Sequence, residues 1–435
     1  MTTSSEERPH GAFGRTLLRI VEVEPSELAS VLWSFAYFLS VLCAYYILRP
    51  VRDEMGVAIG PDGLKWVFVA VFLVMLAAVP VFGWVVTSFA RRRIVPVIYG
   101  FFIANLAVFW AVFQTAGHSA WAAGAFFVWA SVFNLFVVSL FWSLMADLWR
   151  NDQAKRLYGF IAAGGSIGAV TGPLVTQGLV KIIGPNNLLL VSGLLLGLAS
   201  FAALALRRRF AGVKEGQGED EPVGRGGFLD GALAVWRSPY LFRIALWILL
   251  ANLIGTFFYL EQARIVGETL TDRTDRVELF ARVDLAVSVL TILAQVFLTA
   301  RIMGAFGVGA SAAALPAVAT LGLVALAISP TLAVVITVLA FERTITFAIA
   351  SPAVKVLYTL VEPEEKYKAQ NFNDTVVFRG GDAASAWVLN GLKSVGVGFG
   401  SAMALAVPVA LGWLALSIAL GRQHAQRAGE RSADK

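Results

Sequence analysis

Charged residues are scarce in this sequence. They make up 15% of its 435 residues, whereas 58% are hydrophobic, and an ordinary soluble domain has about 25% charged residues. This shortage excludes an ordinary soluble domain. The sequence has instead long apolar runs of roughly 18 to 25 residues, the length that a helix needs to cross a bilayer. The composition therefore predicts a polytopic membrane protein.

Cysteine and histidine are also rare. The single cysteine, Cys43, excludes a disulfide within the chain, and His10, His118 and His424 form no cluster for a metal. The sequence also has no Ser/His/Asp or Cys/His constellation of a nucleophilic enzyme. We therefore predict no enzymatic activity, no cofactor and no metal. The net charge of +6 does not indicate a nucleic acid partner, because the arginines collect beside the apolar runs.

The apolar runs number about twelve at the usual window length. They show no alternation of polar and apolar residues, which predicts helices rather than a barrel. The expected spans are residues 28–48, 65–89, 94–115, 120–147, 156–182, 187–206, 240–262, 280–300, 305–328, 331–358, 372–392 and 397–420. The predicted fold class is an all-α membrane protein.

Basic residues collect in alternate connections between the spans. Arginine triplets occupy residues 91–93 and 207–209, whereas the connections "QTAGHSA" and "GPNN" have almost no charge. By the positive-inside rule both termini are cytoplasmic, and the expected location is the inner (cytoplasmic) membrane. The loop with Arg264, Arg273 and Arg276 is an exception. The first residues lack the features of a cleaved signal peptide.

The hydrophilic stretch "AGVKEGQGEDEPVGRGG" divides the chain into two halves. Its glycines and acids predict a flexible linker, and the "FLDGALAVWRSPYLFR" that follows predicts a short amphipathic helix in the membrane interface. The predicted organisation is a cytoplasmic tail (1–27), a six-helix half (28–206), a cytoplasmic linker with the interfacial helix (207–239), a second six-helix half (240–421) and a cytoplasmic tail (422–435). Two such halves resemble the major facilitator superfamily, whose substrate site lies between them, and "GWVVTSFARRR" loosely resembles its loop signature.

Charges inside the spans are the candidates for function, because a charge at the bilayer centre costs about 2.5 to 3.5 kcal/mol or more. The first group is "ILRPVRDE". Arg49 and Arg52 are three residues apart and share one face of a continuing helix, where Asp53 could pair with another helix. Pro50 is expected to loosen the preceding turn. The alternative is that these arginines extend to lipid headgroups.

The second group lies in the middle of the tenth run, "VITVLAFERTITFAIASPAVK". Glu342 and Arg343 have apolar residues on both sides, so neither side chain easily reaches the membrane surface. They form either a buried pair that fixes helix packing or part of a cavity lining.

The third group is "NFNDTVVFRGGDAASAW" in the eleventh run. Asp374, Arg379 and Asp382 interrupt the run, and Gly380 and Gly381 lie beside the arginine. Adjacent glycines lower helix propensity and allow local unwinding or close backbone approach. Charged and loosened segments of this kind form the sites of many transporters.

The glycine-rich stretch "AAGGSIGAVTGP" has no preceding strand and no GK[ST], which argues against a phosphate-binding loop. Gly164, Gly168 and Gly172 recur every four residues. This spacing predicts a smooth stripe on the fifth helix for close packing against a neighbour.

Three stretches resemble the nucleotide (ATP/ADP) transporter family of plastids and intracellular bacteria: "YYILRPVRDEMGV", "SLFWSLMADLWRNDQAKRLYGFIAAGGSIGAVTGP" and "SPAVKVLYTLVEPEEKYKAQNFNDTVVFRGGD". The positions that match the family's charged motifs are Leu48, Arg49, Arg52 and Asp53 in the first helix, and Lys366, Lys368 and Asp374 before and within the eleventh. The resemblance implies a basic cavity that binds phosphates, a chemistry that suits arginine.

The sequence departs from this family at three places. The family's acidic residues in the fourth and seventh helices correspond here to "WASVFN" and "NLIGTF", which contain no acid, and a lysine of the eleventh helix corresponds to Asp382. Each departure alters the charge of the cavity that the resemblance implies.

The preferred hypothesis is a secondary transporter of an anionic metabolite, foremost a nucleotide, that works by alternating access. The substrate-binding candidates are Arg49, Arg52, Arg343 and Arg379; the candidates for charge pairing or proton coupling are Asp53, Glu342, Asp374 and Asp382. Two alternatives remain: a major facilitator-type transporter of an unrelated solute, and a non-transporting scaffold or lipid-handling protein. The predicted partners are a small anion and the lipid bilayer, with no nucleic acid and no protein.

Overall fold

The structure is a computed structural model that describes residues 23–88, 94–115, 117, 119–210 and 228–433. All regular secondary structure in these ranges is helical, which confirms the predicted fold class. The helices are α1 (Leu28–Ser88), α2 (Ile94–Thr115), α3 (Ala120–Leu148), α4 (Asn151–Ile183), α5 (Leu188–Phe210), α6 (Phe228–Arg237), α7 (Pro239–Thr269), α8 (Arg273–Ala294), α9 (Ala300–Ile328), α10 (Leu332–Ile345), α11 (Ser351–Leu357), α12 (Pro363–Phe372), α13 (Phe378–Ser394) and α14 (Phe399–Ala433).

Nine helical segments of the described chain are long and apolar enough to cross a membrane. Two of them, Leu28–Val85 with 58 residues and Arg273–Ile328 with 56, are more than twice as long as a hydrocarbon core of about 30 Å requires. Each breaks at one glycine with positive φ, Gly60 (74°) or Gly307 (79°), so each crosses twice. The two divisions turn the nine segments into eleven spans, and Pro363–Ser394 adds one more. The bundle therefore has the predicted number of about twelve spans.

Several helices extend well beyond the predicted spans. The first was expected to end at residue 48, but α1 continues through Pro50 and the neighbouring charges to Gly60. The predicted tail after residue 421 is also largely helical, since α14 continues to Ala433. The reason is that charged residues lower the mean hydropathy of the sequence segment by which a span is predicted, but they do not end a helix.

Some predicted segments lie outside the described residues. These are most of the N-terminal tail (residues 1–22), the arginine triplet at 91–93 and the glycine-rich linker 211–227. The short helix predicted after the linker is present as α6, which packs on α12. A Cβ atom on Gly231 of α6 would lie 2.6 Å from the Lys368 carbonyl oxygen, so this contact requires glycine.

The buried apolar residues form two main clusters that correspond to the two halves. One is built mostly from α1 to α5 and contains Phe133, Phe141 and Leu196. The other is dominated by α7 to α14 and contains Phe258 and Trp413. Each half therefore has a core of its own, although the second part of α1 also contributes to the second cluster.

The glycine stripe of α4 packs against α1, as predicted. A Cβ atom on Gly164 or on Gly168 would lie 2.6 Å from the carbonyl oxygen of Phe35 or Leu39, respectively, and one on Gly172 would also clash with α1. These distances are shorter than van der Waals contact. The absence of side chains thus lets two helices of the N-terminal half approach backbone to backbone.

Candidate functional site

Charged side chains from both halves meet at one level of the bundle. We define the Gly60 end as the end where α1 bends and where the α7–α8 and α9–α10 connections lie. Arg49, Asp284 and Arg343 each lie 11 residues along the chain from their helix terminus at this end. At a rise of about 1.5 Å per residue all three lie at the same level, about 17 Å from this end.

One buried carboxylate is shared between the two halves. Asp284 of α8 is 1% exposed; its Oδ1 accepts a hydrogen bond from Arg343 Nη2 of α10 at 2.6 Å, and its Oδ2 lies 3.7 Å from Arg49 Nε of α1. Arg49 belongs to the N-terminal half, and the other two residues belong to the C-terminal half. A buried charge requires such pairing because its removal from water is unfavourable.

Arg52 and Asp53 form a second ionic contact on α1. Arg52 donates to Asp53 Oδ1 from Nη2 at 2.6 Å and from Nε at 3.1 Å, and its guanidinium lies 5.1 Å from the centre of the Phe127 ring. Tyr259 of α7 donates its hydroxyl to the same Asp53 oxygen at 3.5 Å. A Cβ atom on Gly56 would lie 2.7 Å from that hydroxyl oxygen, so glycine allows this approach of α7. Asp53 was expected to pair with another helix, but its arginine partner is its own neighbour.

A third contact links α13 with α7. Arg379 Nη1 lies 3.6 Å from Asp382 Oδ2, and Thr256 of α7 donates to Asp382 Oδ1 at 3.4 Å. Thr256 and Tyr259 are three residues apart and share one face of α7. This face therefore contacts both Asp382 and Asp53. We call the set Arg49, Arg52, Asp53, Asp284, Arg343, Arg379 and Asp382 the charged layer.

Of the two alternatives for Glu342 and Arg343, a buried pair with each other or a cavity lining, the structure does not show the pair. Successive residues of an α-helix are rotated by about 100° and do not face each other. Arg343 therefore contacts Asp284, whereas Glu342 Oε1 accepts a hydrogen bond from Thr346 Oγ1 at 3.2 Å. Glu342 lies at the level of the charged layer without joining its ion pairs.

Of the two effects expected of Gly380 and Gly381, close approach of a neighbouring helix and local unwinding, the structure shows the first. Helix α13 is regular there, and an irregular π-helical turn lies earlier, at Asn373–Val377. A Cβ atom on Gly381 would lie 3.2 Å from the Asn252 Cβ of α7. This glycine serves the close approach of two helices rather than local unwinding.

Asp374 does not lie in the charged layer. It is 20 residues before Ser394, the terminus of α13, so it lies about 30 Å from the Gly60 end, and its side chain is exposed. Lys368 lies on the same side of the bundle, where its Nζ contacts Glu364 at 2.7 Å. The acidic and basic positions that the family resemblance implies in this helix are therefore remote from the arginines.

The halves are also connected by polar contacts at the Gly60 end. Glu54 of α1 is fully buried and accepts a hydrogen bond from Arg273 of α8 at 2.9 Å, with Arg276 at 3.9 Å. Further contacts between the halves are Lys181–Glu278 at 2.7 Å, Lys393–Asp62 at 2.8 Å and Lys65–Asn390 at 2.8 Å. Arg273 and Arg276, which deviate from the positive-inside pattern, thus serve as counter-ions of a buried carboxylate.

Four residues that complete these contacts were not predicted from the sequence: Glu54, Thr256, Tyr259 and Asp284. For Asp284 a signal was present, since it is a carboxylate inside the apolar stretch "VDLAVSVL". Thr256 and Tyr259 are ordinary residues of a membrane helix, and only their position in the bundle identifies them.

An open cavity of about 490 Å³ lies elsewhere, on the outer surface of the C-terminal half. Its lining residues are Trp236, Pro239, Phe242, Arg243, Leu246 and Leu416, which belong to α6, α7 and α14. None of them is part of the charged layer, so this cavity is not the site that the buried charges form.

A helical bundle of two halves with a buried ionic layer between them is the architecture of a secondary transporter. Residues 28–381 match the family model described as Major Facilitator Superfamily, and the chain belongs to that superfamily. It is therefore a multi-pass membrane transporter and not an enzyme.

Solved transporter structures share this fold at low sequence identity. The nucleoside transporter NupG has a TM-score of 0.61 and 14% identity, with 93% of this chain and 99% of that chain covered. An auto-inhibited POT family peptide transporter has a TM-score of 0.62 and 11% identity, with 92% and 96% covered. A bacterial homolog of the human lysosomal transporter Spinster has a TM-score of 0.51 and 14% identity, with 93% and 97% covered. No curated protein sequence matches the chain.

Proposed function

We propose that this transporter moves an anionic, phosphate-bearing metabolite, foremost a nucleotide, through the charged layer. The observation that carries the proposal is that Arg49 and Arg343, from opposite halves, share the single carboxylate of Asp284. Four arginines and three carboxylates give the charged layer one net positive charge when all are ionised and the neighbouring Glu342 is protonated. An excess positive charge in a low-dielectric site favours an anion.

Arginine is well suited to this role. Its planar guanidinium keeps its charge in a protein interior and donates two parallel hydrogen bonds to a phosphate or carboxylate. Arg49 and Arg52 would hold the solute from the N-terminal half, and Arg343 and Arg379 from the C-terminal half. A solute bound by both halves is in a position to affect how they move relative to each other.

Alternating access would then require two sets of contacts to break in turn. The contact between Glu54 and Arg273 closes the Gly60 end. With both termini on the cytoplasmic side, this end faces outward, and its opening would admit solute from outside. Asp53 and Asp382 would hold the arginines, and Glu342, which joins none of these ion pairs, would carry a coupling proton. Asp374, remote and exposed, would act only at the opposite end.

The resemblance to the nucleotide (ATP/ADP) transporter family supports a nucleotide as the solute. The residues of α1 that carry part of this resemblance are Leu48, Arg49, Arg52 and Asp53. Two of these, Arg52 and Asp53, form the ionic contact beside Phe127. The aromatic rings of Phe127 and Tyr259 next to this contact would also suit a base, because stacking on aromatic side chains is a common mode of base recognition.

The test is uptake of labelled ATP and ADP by proteoliposomes that contain the purified protein, with and without nucleotide inside. Uptake that depends on internal nucleotide would establish exchange. Absence of uptake under both conditions, with folded protein, would exclude these nucleotides and direct the assay to other phosphate compounds.

Variants of the arginines test the site itself. We expect Arg52→Ala or Arg379→Ala to reduce uptake at least tenfold, since each removes a charged donor worth about 1.5 to 3 kcal/mol in a hydrogen bond. Arg301→Ala is the matched control, because Arg301 is exposed on α9 and lies outside the charged layer. Normal uptake by both site variants would contradict the assignment.

A second candidate is a neutral or zwitterionic solute. It is favoured by the fact that each arginine of the charged layer already lies within 4 Å of a carboxylate. The similar structures include transporters named for nucleosides and peptides. Uptake of an uncharged nucleoside that excess phosphate and ATP do not inhibit would support this candidate over the anion.

A further inference from the structure

We propose that Asp284 is an internal counter-ion that occupies the anion site when no solute is bound, and that the solute competes with it for Arg49 and Arg343. The inference rests on the proposed anion transport and assigns a role to a residue of the same site. It makes Asp284 a residue that sets the affinity of the site and couples it to the arrangement of the halves.

The contacts around Asp284 leave polar atoms available. Its Oδ2 has no hydrogen bond, and the Nε atoms of Arg49 and Arg343 are also buried without a hydrogen-bond partner. Three buried polar atoms without partners cluster here, although such atoms are normally satisfied. The two guanidiniums therefore have donors that one carboxylate does not saturate, and the oxygens of a phosphate could accept from them.

Competition follows from the charges. Asp284 is held between guanidiniums that belong to different halves, so it neutralises their mutual repulsion in the empty protein. An anion that binds both arginines performs the same task and displaces the carboxylate. After release, Asp284 returns to the arginines, which lowers the affinity for the anion and allows the empty protein to change its conformation.

The chain offers a matched control for this carboxylate. Glu261 of α7 is also fully buried and bound to an arginine, Arg264, at 2.6 Å. Both of these residues lie on α7, three positions apart, so this pair does not connect the halves. Asp284→Asn and Glu261→Gln remove one buried negative charge each, and only the first does so between the halves.

The first experiment measures binding of inorganic phosphate and of ATP to the purified full-length protein. We expect Asp284→Asn to bind at least one of these probes about tenfold or more tightly than the wild type, within the range of about 5- to 150-fold that is typical of coupled sites. In proteoliposomes we expect its net uptake to fall while exchange is retained, because the empty protein no longer has its counter-ion. Glu261→Gln should change neither quantity by a similar factor.

A second measurement needs no solute. Spin labels at Ala120 of α3 and Ile328 of α9, both exposed at the Gly60 end of different halves, report the separation of the halves in a Cys43→Ala background. Unpaired guanidiniums repel each other, so we expect Asp284→Asn to shift the distances to larger values. Glu261→Gln should leave them unchanged.

The two measurements separate the failure of this inference from the failure of the proposed function. If no anion binds to either protein but the distances shift, anion transport is wrong and the counter-ion role between the halves stands. If anions bind the wild type and Asp284→Asn equally well and the distances do not shift, the counter-ion role is wrong and anion transport stands.

Discussion

Helix α1 has two faces with opposite kinds of contact. One face packs against α4, where a stripe of glycines lets the two backbones touch. The other face presents Arg49, Arg52 and Asp53 toward the C-terminal half, where contacts are ionic or hydrogen-bonded. Along this part of α1, close backbone packing joins it to its own half, whereas ionic and hydrogen-bonded contacts join it to the C-terminal half.

The two kinds of contact respond differently to a solute. Backbone packing through glycine depends on a fit that no small molecule can replace, because interiors are packed as densely as organic crystals. An ionic contact, in contrast, is equally well made with a charged solute or with a different partner. The difference predicts that each half moves as a rigid body and that the charged layer is where contacts exchange.

The largest effect is expected for Arg343→Ala. The substitution leaves Asp284 buried without its 2.6 Å partner, and loss of one member of a buried ion pair typically costs about 3 to 5 kcal/mol. The free energy of unfolding in detergent should fall accordingly, and Arg343→Lys, which keeps a positive charge beside Asp284, should lose less. Equal losses in the two variants would show that the contact is not primarily electrostatic.

A smaller effect is expected at the packed face. Gly168→Ala places a Cβ atom 2.6 Å from the Leu39 carbonyl oxygen, and overpacking of this kind costs typically about 1 to 3 kcal/mol. Gly178→Ala is the control on the same helix, since its Cβ atom would meet nothing within 4 Å and alanine favours helices. Thermal unfolding of the two variants gives the comparison. Equal stability would mean that α1 and α4 separate more easily than their packing indicates.

The exposed ion pair at the Gly60 end should matter still less for stability. Lys393 and Asp62 are 49% and 68% exposed, and pairs of this kind contribute about 0 to 1 kcal/mol. Lys393→Ala should leave the unfolding temperature nearly unchanged and weaken only the closure of this end. A large loss of stability would show that the contribution of an ionic contact between the halves does not decrease with its exposure.

The smallest effect concerns the pH dependence of a helix cap. Backbone N–H groups of Asp275 and Thr274 and the nearby Arg273 lower the pKa of Asp272, the exposed N-cap of α8. Because the folded pKa is depressed, the contribution of Asp272 to stability is present above the unfolded pKa of about 3.9 and is lost as pH falls through the folded value. Unfolding of Asp272→Asn should be less sensitive to pH below about 4, and an unchanged profile would contradict the cap.

Much of this fold was predictable from the sequence. Long apolar runs predicted the helical bundle and its number of spans, and the four-residue spacing of Gly164, Gly168 and Gly172 predicted the packed face of α1 and α4. Isolated charges predicted most of the charged layer. These successes share one cause, since each pattern reports a local requirement: hydrocarbon length, absence of a side chain, or the unfavourable burial of charge.

Pairing between helices was not predictable in the same way. Glu342 and Arg343 are adjacent in sequence, and this suggested a pair that helix geometry does not allow. The true partner, Asp284, is 59 positions away from Arg343, and only the arrangement of α8 against α10 brings them together. Helix ends were mispredicted because mean hydropathy indicates which residues lie in the membrane, whereas a helix can continue beyond the membrane surface.

The only cysteine of the chain lies on the packed face of α1. Cys43 is 4% exposed, and the backbone around it touches Gly168 and Gly172 of α4. If the halves move as rigid bodies, a thiol reagent should reach this side chain at the same slow rate in every stage of transport. Its alkylation would accelerate only when the N-terminal half itself unfolds. The alkylation rate of Cys43 in the native protein would therefore report unfolding of this half and would not depend on transport.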